Sequence, residues 1–177
     1  NFDEAMKHYE QALAIYKETL GENHPSVADT LNSKGAVLRA QGNHSEAMKH
    51  YEQALAIKKR ALGENHPSVA DTLNNMAAVL SNQGECKEAM QHYEQALAIR
   101  KQALGESHPD VAMTLNNMAI ALRNLGEYER AMKYNEKALA IHKQALGDNH
   151  PIVAMMLLNI ALVLDGQKQY QQAIRQC

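Results

Sequence analysis

The chain has 177 residues, a formal net charge of −2 and 21% charged residues, a near-neutral balance with neither a basic field for nucleic acid nor an acidic tail. Two cysteines without a CxxC or a pairing pattern point to a reducing, cytoplasmic setting rather than a disulfide-stapled secreted fold. No apolar run approaches the roughly 20 residues that span a bilayer, no signal peptide opens the chain, and the absent start methionine suggests a piece of something longer.

The first element is predicted over Glu4 to Leu20. Ala5, Met6, Tyr9, Ala12, Leu13 and Ile15 recur at steps of three and four, the mark of one helical face. Gly21 ends it, because glycine adopts a left-handed backbone at little cost. His24-Pro25 then opens a second helix, since proline fits a first turn and holds the residue before it extended. That helix runs from about Ser26 to Gln41, with Val27, Leu31, Lys34, Gly35 and Leu38 as its core stripe and Gly42 closing it.

The pattern then starts again. Residues 1–42 and 43–84 agree at 32 of 42 positions, and two further units keep the frame. GENHPSVADTLN at 21–32 returns at 63–74, then as GESHPDVAMTLN from Gly105 and GDNHPIVAMMLL from Gly147. Each unit is two helices joined by loops of no more than about five residues. One helical hairpin cannot bury its apolar face alone, whereas stacked copies bury each other. The expected organisation is all-α and one array over 1–177: a second-type helix at 1–24, full repeats at 25–66, 67–108 and 109–150, and a truncated last repeat at 151–177. The chain is expected to stop about one turn into a further helix.

Small residues at Gly35, Ala77, Ala119 and Ala161 lie where tetratricopeptide repeats need one between helices. Ala47, Tyr51 and Ala54, and again Ala89, Tyr93 and Ala96, match the A-x3-aromatic-x2-A signature of the other helix. The usual unit has 34 residues; the 42-residue unit here resembles the tetratricopeptide (TPR) repeats of kinesin light chains. That resemblance implies a TPR α-solenoid, a right-handed superhelix of stacked helix-turn-helix hairpins, used to bind proteins.

His24, His66, His108 and His150 recur one repeat apart, roughly 8–10 Å by helix packing. A shared metal needs ligands at about 2 Å, so these histidines read as helix-start residues and no metal site is expected. Cys86 reads as a small buried hydrophobe, and Met6, Met48, Met90 and Met132 as a ladder of inter-repeat packing. No P-loop, GxGxxG, GxSxG or HExxH occurs. No catalytic residue and no cofactor is expected, and an enzyme is the least supported reading.

The asparagines are the feature that core packing does not explain. At 100° per residue, Asp29, Asn32, Ser33, Ala36 and Ala40 point away from the buried stripe, and Asp71, Asn74 and Asn75, Asn116 and Asn117, and Asn159 share that face. Asparagine is a mediocre helix former, so propensity does not select it there. Two readings stay open: the amides bond neighbouring helices along the stack, or they line a concave groove and meet the backbone of an extended peptide. An extended chain advances about 3.3 Å per residue and a repeat steps about 10 Å, so three or four units would hold about seven to ten residues. The kinesin light chain resemblance implies that the LNN asparagines line the groove and that basic residues beside them favour acidic ligands. Arg39 and Arg123 match those basic positions; Ser81 and Asp165 occupy the equivalents.

The later units depart from the first two. In the third, Asn135 takes the core tyrosine position, so either Tyr134 turns inward or packing there is weak. Lys168 replaces the turn glycine, Gly166 comes two residues early, and Leu158 replaces an asparagine. Both ends should expose apolar stacking faces, which predicts end-to-end self-association or further repeats. The functional expectation is a peptide- or protein-binding adaptor without nucleic-acid or membrane partners. The rivals are a spacer or self-associating scaffold, and the sensor repeats of a larger signalling protein.

Overall fold

The computed structural model describes residues 2–176. Eight helices follow one another among them: α1 (Phe2–Leu20), α2 (Pro25–Ala40), α3 (His44–Leu62), α4 (Pro67–Asn82), α5 (Cys86–Leu104), α6 (Pro109–Asn124), α7 (Tyr128–Leu146) and α8 (Pro151–Gln176). The pairs α2–α3, α4–α5 and α6–α7 form tight hairpins, and each second helix packs against the first helix of the next pair.

The boundaries follow from the repeated dozen residues. His24, His66 and His108 lie extended at the N-cap, and the Nδ1 of each, like that of His150, accepts the backbone N–H two residues on: Ser26 to His24 at 3.2 Å, Ser68 to His66 at 3.1 Å, Asp110 to His108 at 3.1 Å and Ile152 to His150 at 3.2 Å. This satisfies one of the orphan donors that a helix start leaves. Gly42, Gly84 and Gly126 take φ of +80°, +85° and +78° at the opposite ends. The N–H just beyond each returns to a carbonyl in the last turn, as from Asn43 to Leu38 at 2.9 Å.

The core is the same cluster written three times. Val27, Ala28 and Leu31 meet Ala54; Val69, Ala70 and Leu73 meet Ala96; Val111, Ala112 and Leu115 meet Ala138. Each buried valine or leucine contributes about 1.5–3 kcal/mol. Small residues are required where aromatic rings cross: a Cβ on Gly35 would lie 2.7 Å from the Tyr51 ring. Lys34 is buried on the core stripe and reaches Glu10 at 3.4 Å. Cys86 is buried, and the methionine ladder packs into the clusters; Cys177 lies outside the described residues.

Three expectations need correction. No further helix begins near the C-terminus, because α8 runs on to Gln176. Lys168 stands where a positive φ would be needed to turn, and a side chain resists that geometry. Gly166 is helical and makes room for Tyr128, whose Cε1 would lie 2.7 Å from an added Cβ. Second, Pro151–Gln169 is by length and composition alone able to cross a membrane, although polar Asn159 and Asp165 interrupt its apolar run. It docks on the array through Val153, Met156 and Val163. Third, Ile15 is exposed, since no helix covers that side of α1, whereas its counterpart Ile99 is buried. At the irregular third repeat, Asn135 is buried with its Oδ1 unpartnered among the described residues, and Tyr134 packs partly inward.

Candidate functional site

The inner helices α2, α4, α6 and α8 lie side by side, and asparagines cross between them as rungs. Asn75 Nδ2 donates to Asn32 Oδ1 at 3.3 Å, Asn117 Nδ2 to Asn74 Oδ1 at 3.2 Å, and Asn159 Nδ2 to Asn116 Oδ1 at 2.7 Å. The second asparagine of each LNN therefore bonds the first asparagine one repeat back. Asn74 and Asn116 are buried by this role. A mid-helix asparagine is repaid for its poor propensity by a hydrogen bond that straight-chain residues could not make in that space. The reading in which amides bond along the stack thus describes all three rungs.

The same face also opens. A hollow of about 420 Å³ is lined by Arg39, Asp71, Asn74, Asn75, Ala78, Arg100, Met113 and Asn117. Of the residues singled out in the sequence, Arg39, Asp71, Asn74, Asn75 and Asn117 meet there. Asn32, Asn116 and Asn159 belong to the rungs but do not line it. Ser33 lines a neighbouring hollow beside α1, with its hydroxyl donating to the Asp29 carbonyl at 2.9 Å. Arg123 is half-buried near the end of α6, outside both.

Arg100 is the residue that sequence reasoning missed. It comes from α5 and is buried, and it ties two repeats together. Its Nη2 donates to Asp71 Oδ1 at 2.7 Å, while Nη1 donates to Thr114 Oγ1 at 2.7 Å and to the Asp110 carbonyl at 3.0 Å. The pairing recurs one repeat earlier, where Lys58 Nζ lies 3.0 Å from Asp29 Oδ1. It lapses one repeat later, where the acid is Met113 and the cation is His142. Burial pushes the His142 imidazole below its ordinary range, and its Nδ1 has no partner among the described residues. The joint change of acid and base was legible once the repeats were aligned. Arg39 lies near both core tyrosines, and its charge opposes the rise that burial imposes on the Tyr51 and Tyr93 hydroxyls.

Among the described residues no group of three or more His, Cys, Asp or Glu side chains is arranged to hold a metal ion. What the arrangement offers is hydrogen bonding. The two rungs that border the hollow use one N–H each of Asn75 and Asn117, leaving the second N–H and the carbonyl oxygen of those amides.

The sequence profile of the tetratricopeptide repeat matches residues 1–60, 32–102, 68–144 and 110–176. No curated protein matches the chain. Among solved structures, BtubC (BKLC) from P. vanneervenii superposes with a TM-score of 0.82 at 24% identity, covering 98% of this chain and 69% of that one. A kinesin light chain-like protein of Podospora anserina with nearly identical TPR-like repeats gives 0.77 at 28% identity, covering 98% and 82%. The apo form of RapI gives 0.79 at 21% identity, covering 98% and 61%. With matches along the whole array and a hairpin stack of the same shape, the chain belongs to the tetratricopeptide-repeat family, with repeats similar to those of kinesin light chain-like proteins.

Proposed function

We propose that this array is a protein-interaction module that takes an extended protein segment along its inner face, between α2, α4 and α6. The observation that supports it is the hollow of about 420 Å³ in which Asn75 and Asn117 keep spare amide groups beside Arg39 and Asp71. An extended backbone presents alternating N–H and C=O groups, and amides answer both. Successive inner helices stand about 10 Å apart, which matches about three residues of such a segment.

The test fills the hollow without breaking a rung. Ala78 lines it and makes no rung bond. Ala78→Trp is expected to abolish binding of decapeptides selected from a random library, with the thermal midpoint unchanged. Asn75→Ala is expected to weaken the same peptides about tenfold, as loss of a hydrogen bond in a closed site does. Peptides that bind wild type and Ala78→Trp equally would sink the groove.

A second reading has its own support. Because the rungs satisfy the asparagines internally, the same residues suit a rigid spacer. A spacer would yield no groove-dependent peptide, and Asn75→Ala would lower stability alone.

A further inference from the structure

Repetition holds geometry constant, so side chains that change at solvent-facing inner positions change what that face offers to a partner. Two such positions change together along the array. The position held by Asp29 and Asp71 becomes Met113 and then Met155. The position held by Ala36 and Ala78 becomes Ile120 and then Leu162.

Met113, Met155 and Leu162 are left open to solvent, and Ile120 is half-buried. Met113 is 41% exposed although it sits on α6 with α7 folded against that helix. On α8, Met155 is 48% and Leu162 52% exposed. Met113 lines the hollow with Asn117, and the Asn159–Asn116 bond joins the α8 row to the α6 row. The apolar strip therefore continues the polar groove. Its outer wall changes in step: Lys58 and Arg100 give way to His142, which burial disposes to the neutral form. Contiguous apolar surface rimmed by polar groups marks a place of contact.

Resting on the groove reading above, we propose that the inner face takes a two-part segment. Polar or charged residues lie over α2 and α4, and two or three large apolar side chains, spaced about three residues apart, lie over α6 and α8. The order of charge along the array then fixes which way the segment runs.

A positional-scanning decapeptide library read by fluorescence anisotropy tests this, with Ala78→Trp identifying groove-dependent binders. Peptides enriched in Leu, Ile, Met or Phe at every third residue of one half are expected. Met113→Asp combined with Ile120→Ala writes the second repeat's side chains into the third, so the fold has a precedent within the chain. That variant is expected to weaken those peptides at least about tenfold. Leu162→Ala, on the exposed surface of α8, is a second variant expected to weaken them about threefold or more. Groove-dependent peptides without apolar enrichment, or with affinities that neither variant moves, would overturn the two-part ligand and leave the groove standing. Absence of any groove-dependent peptide would overturn both, as would an apolar strip that binds neutral phosphatidylcholine vesicles and no peptide.

Discussion

At the scale of single residues, the fold holds several imidazoles in places that disfavour charge. Burial is the first cause at His50, His92 and His142, and each is pushed below its ordinary value of 6.5. The unfolded chain binds those protons as pH falls through 6.5, and the folded chain resists them. The stability they carry is therefore present above that pH and lost progressively below it. A thermal midpoint lower at pH 5.5 than at pH 7.5 is expected in calorimetry, with the difference shrinking in His142→Leu. Met113→Asp should act in the opposite direction at the same site. In the repeat before, an acid at that position meets its cation at 2.7 Å. The His142 proton is then held more tightly, and its titration followed by NMR is expected to move upward. A raised folded pKa adds stability that is complete below 6.5 and fades as pH climbs through the new value. An unmoved resonance would show that the acid and base rows do not face each other in the third repeat.

At the scale of helices, what sequence could and could not show divides along physical lines. Helix starts were legible because His-Pro combines a side-chain acceptor with a fixed φ, and helix ends because glycine marks a positive φ. The core stripe was legible because Val27, Leu31 and Leu38 repeat at helical spacing, and all three are buried. The end of α8 was not. Gly166 reads as a turn, yet its value lies in contact with a ring on another helix, and no local rule reports such a contact. The candidate site was half legible: the asparagines stood out as a recurring feature of the inner helices, but the burial of Asn74 and Asn116 did not, because the rungs depend on an offset of 43 residues that only the stack reveals. Arg100 was hidden because long cationic side chains usually signal solvent, whereas here the guanidinium spans α4 and α6 from the flanking helix. Arg100→Ala empties a buried site and releases both repeats. It is expected to cost about 2–4 kcal/mol and to lower the thermal midpoint by about 2–4 °C for each of them. A loss under about 0.5 kcal/mol, the range of surface substitutions, would contradict its role as a tie.

At the scale of the molecule, the first and last of the described helices present two unlike faces. On α8, Leu157 and Leu164 are 49% and 52% exposed, although Leu31, Leu73 and Leu115, and Leu38, Leu80 and Leu122, are buried at the same positions. In the full repeats those leucines share clusters with the helix that follows, as Leu38 does with Ala47 and Tyr51. On α1, Tyr9 is partly exposed where Tyr51 is fully buried. One face lacks a second-type helix, and the other presents one, so a head-to-tail contact is expected. Sedimentation velocity should show mass rising with concentration, and Leu157→Lys with Leu164→Lys should return a single protomer. A wild-type mass that stays constant with concentration would dismiss that contact. The tie at Arg100 carries one more consequence. Rungs join α2 to α4, α4 to α6 and α6 to α8, but the guanidinium bridge from one repeat to the next stands at the α4–α6 step. That step should therefore resist bending more than the ones beside it, so the trough should flex on either side of an unyielding waist.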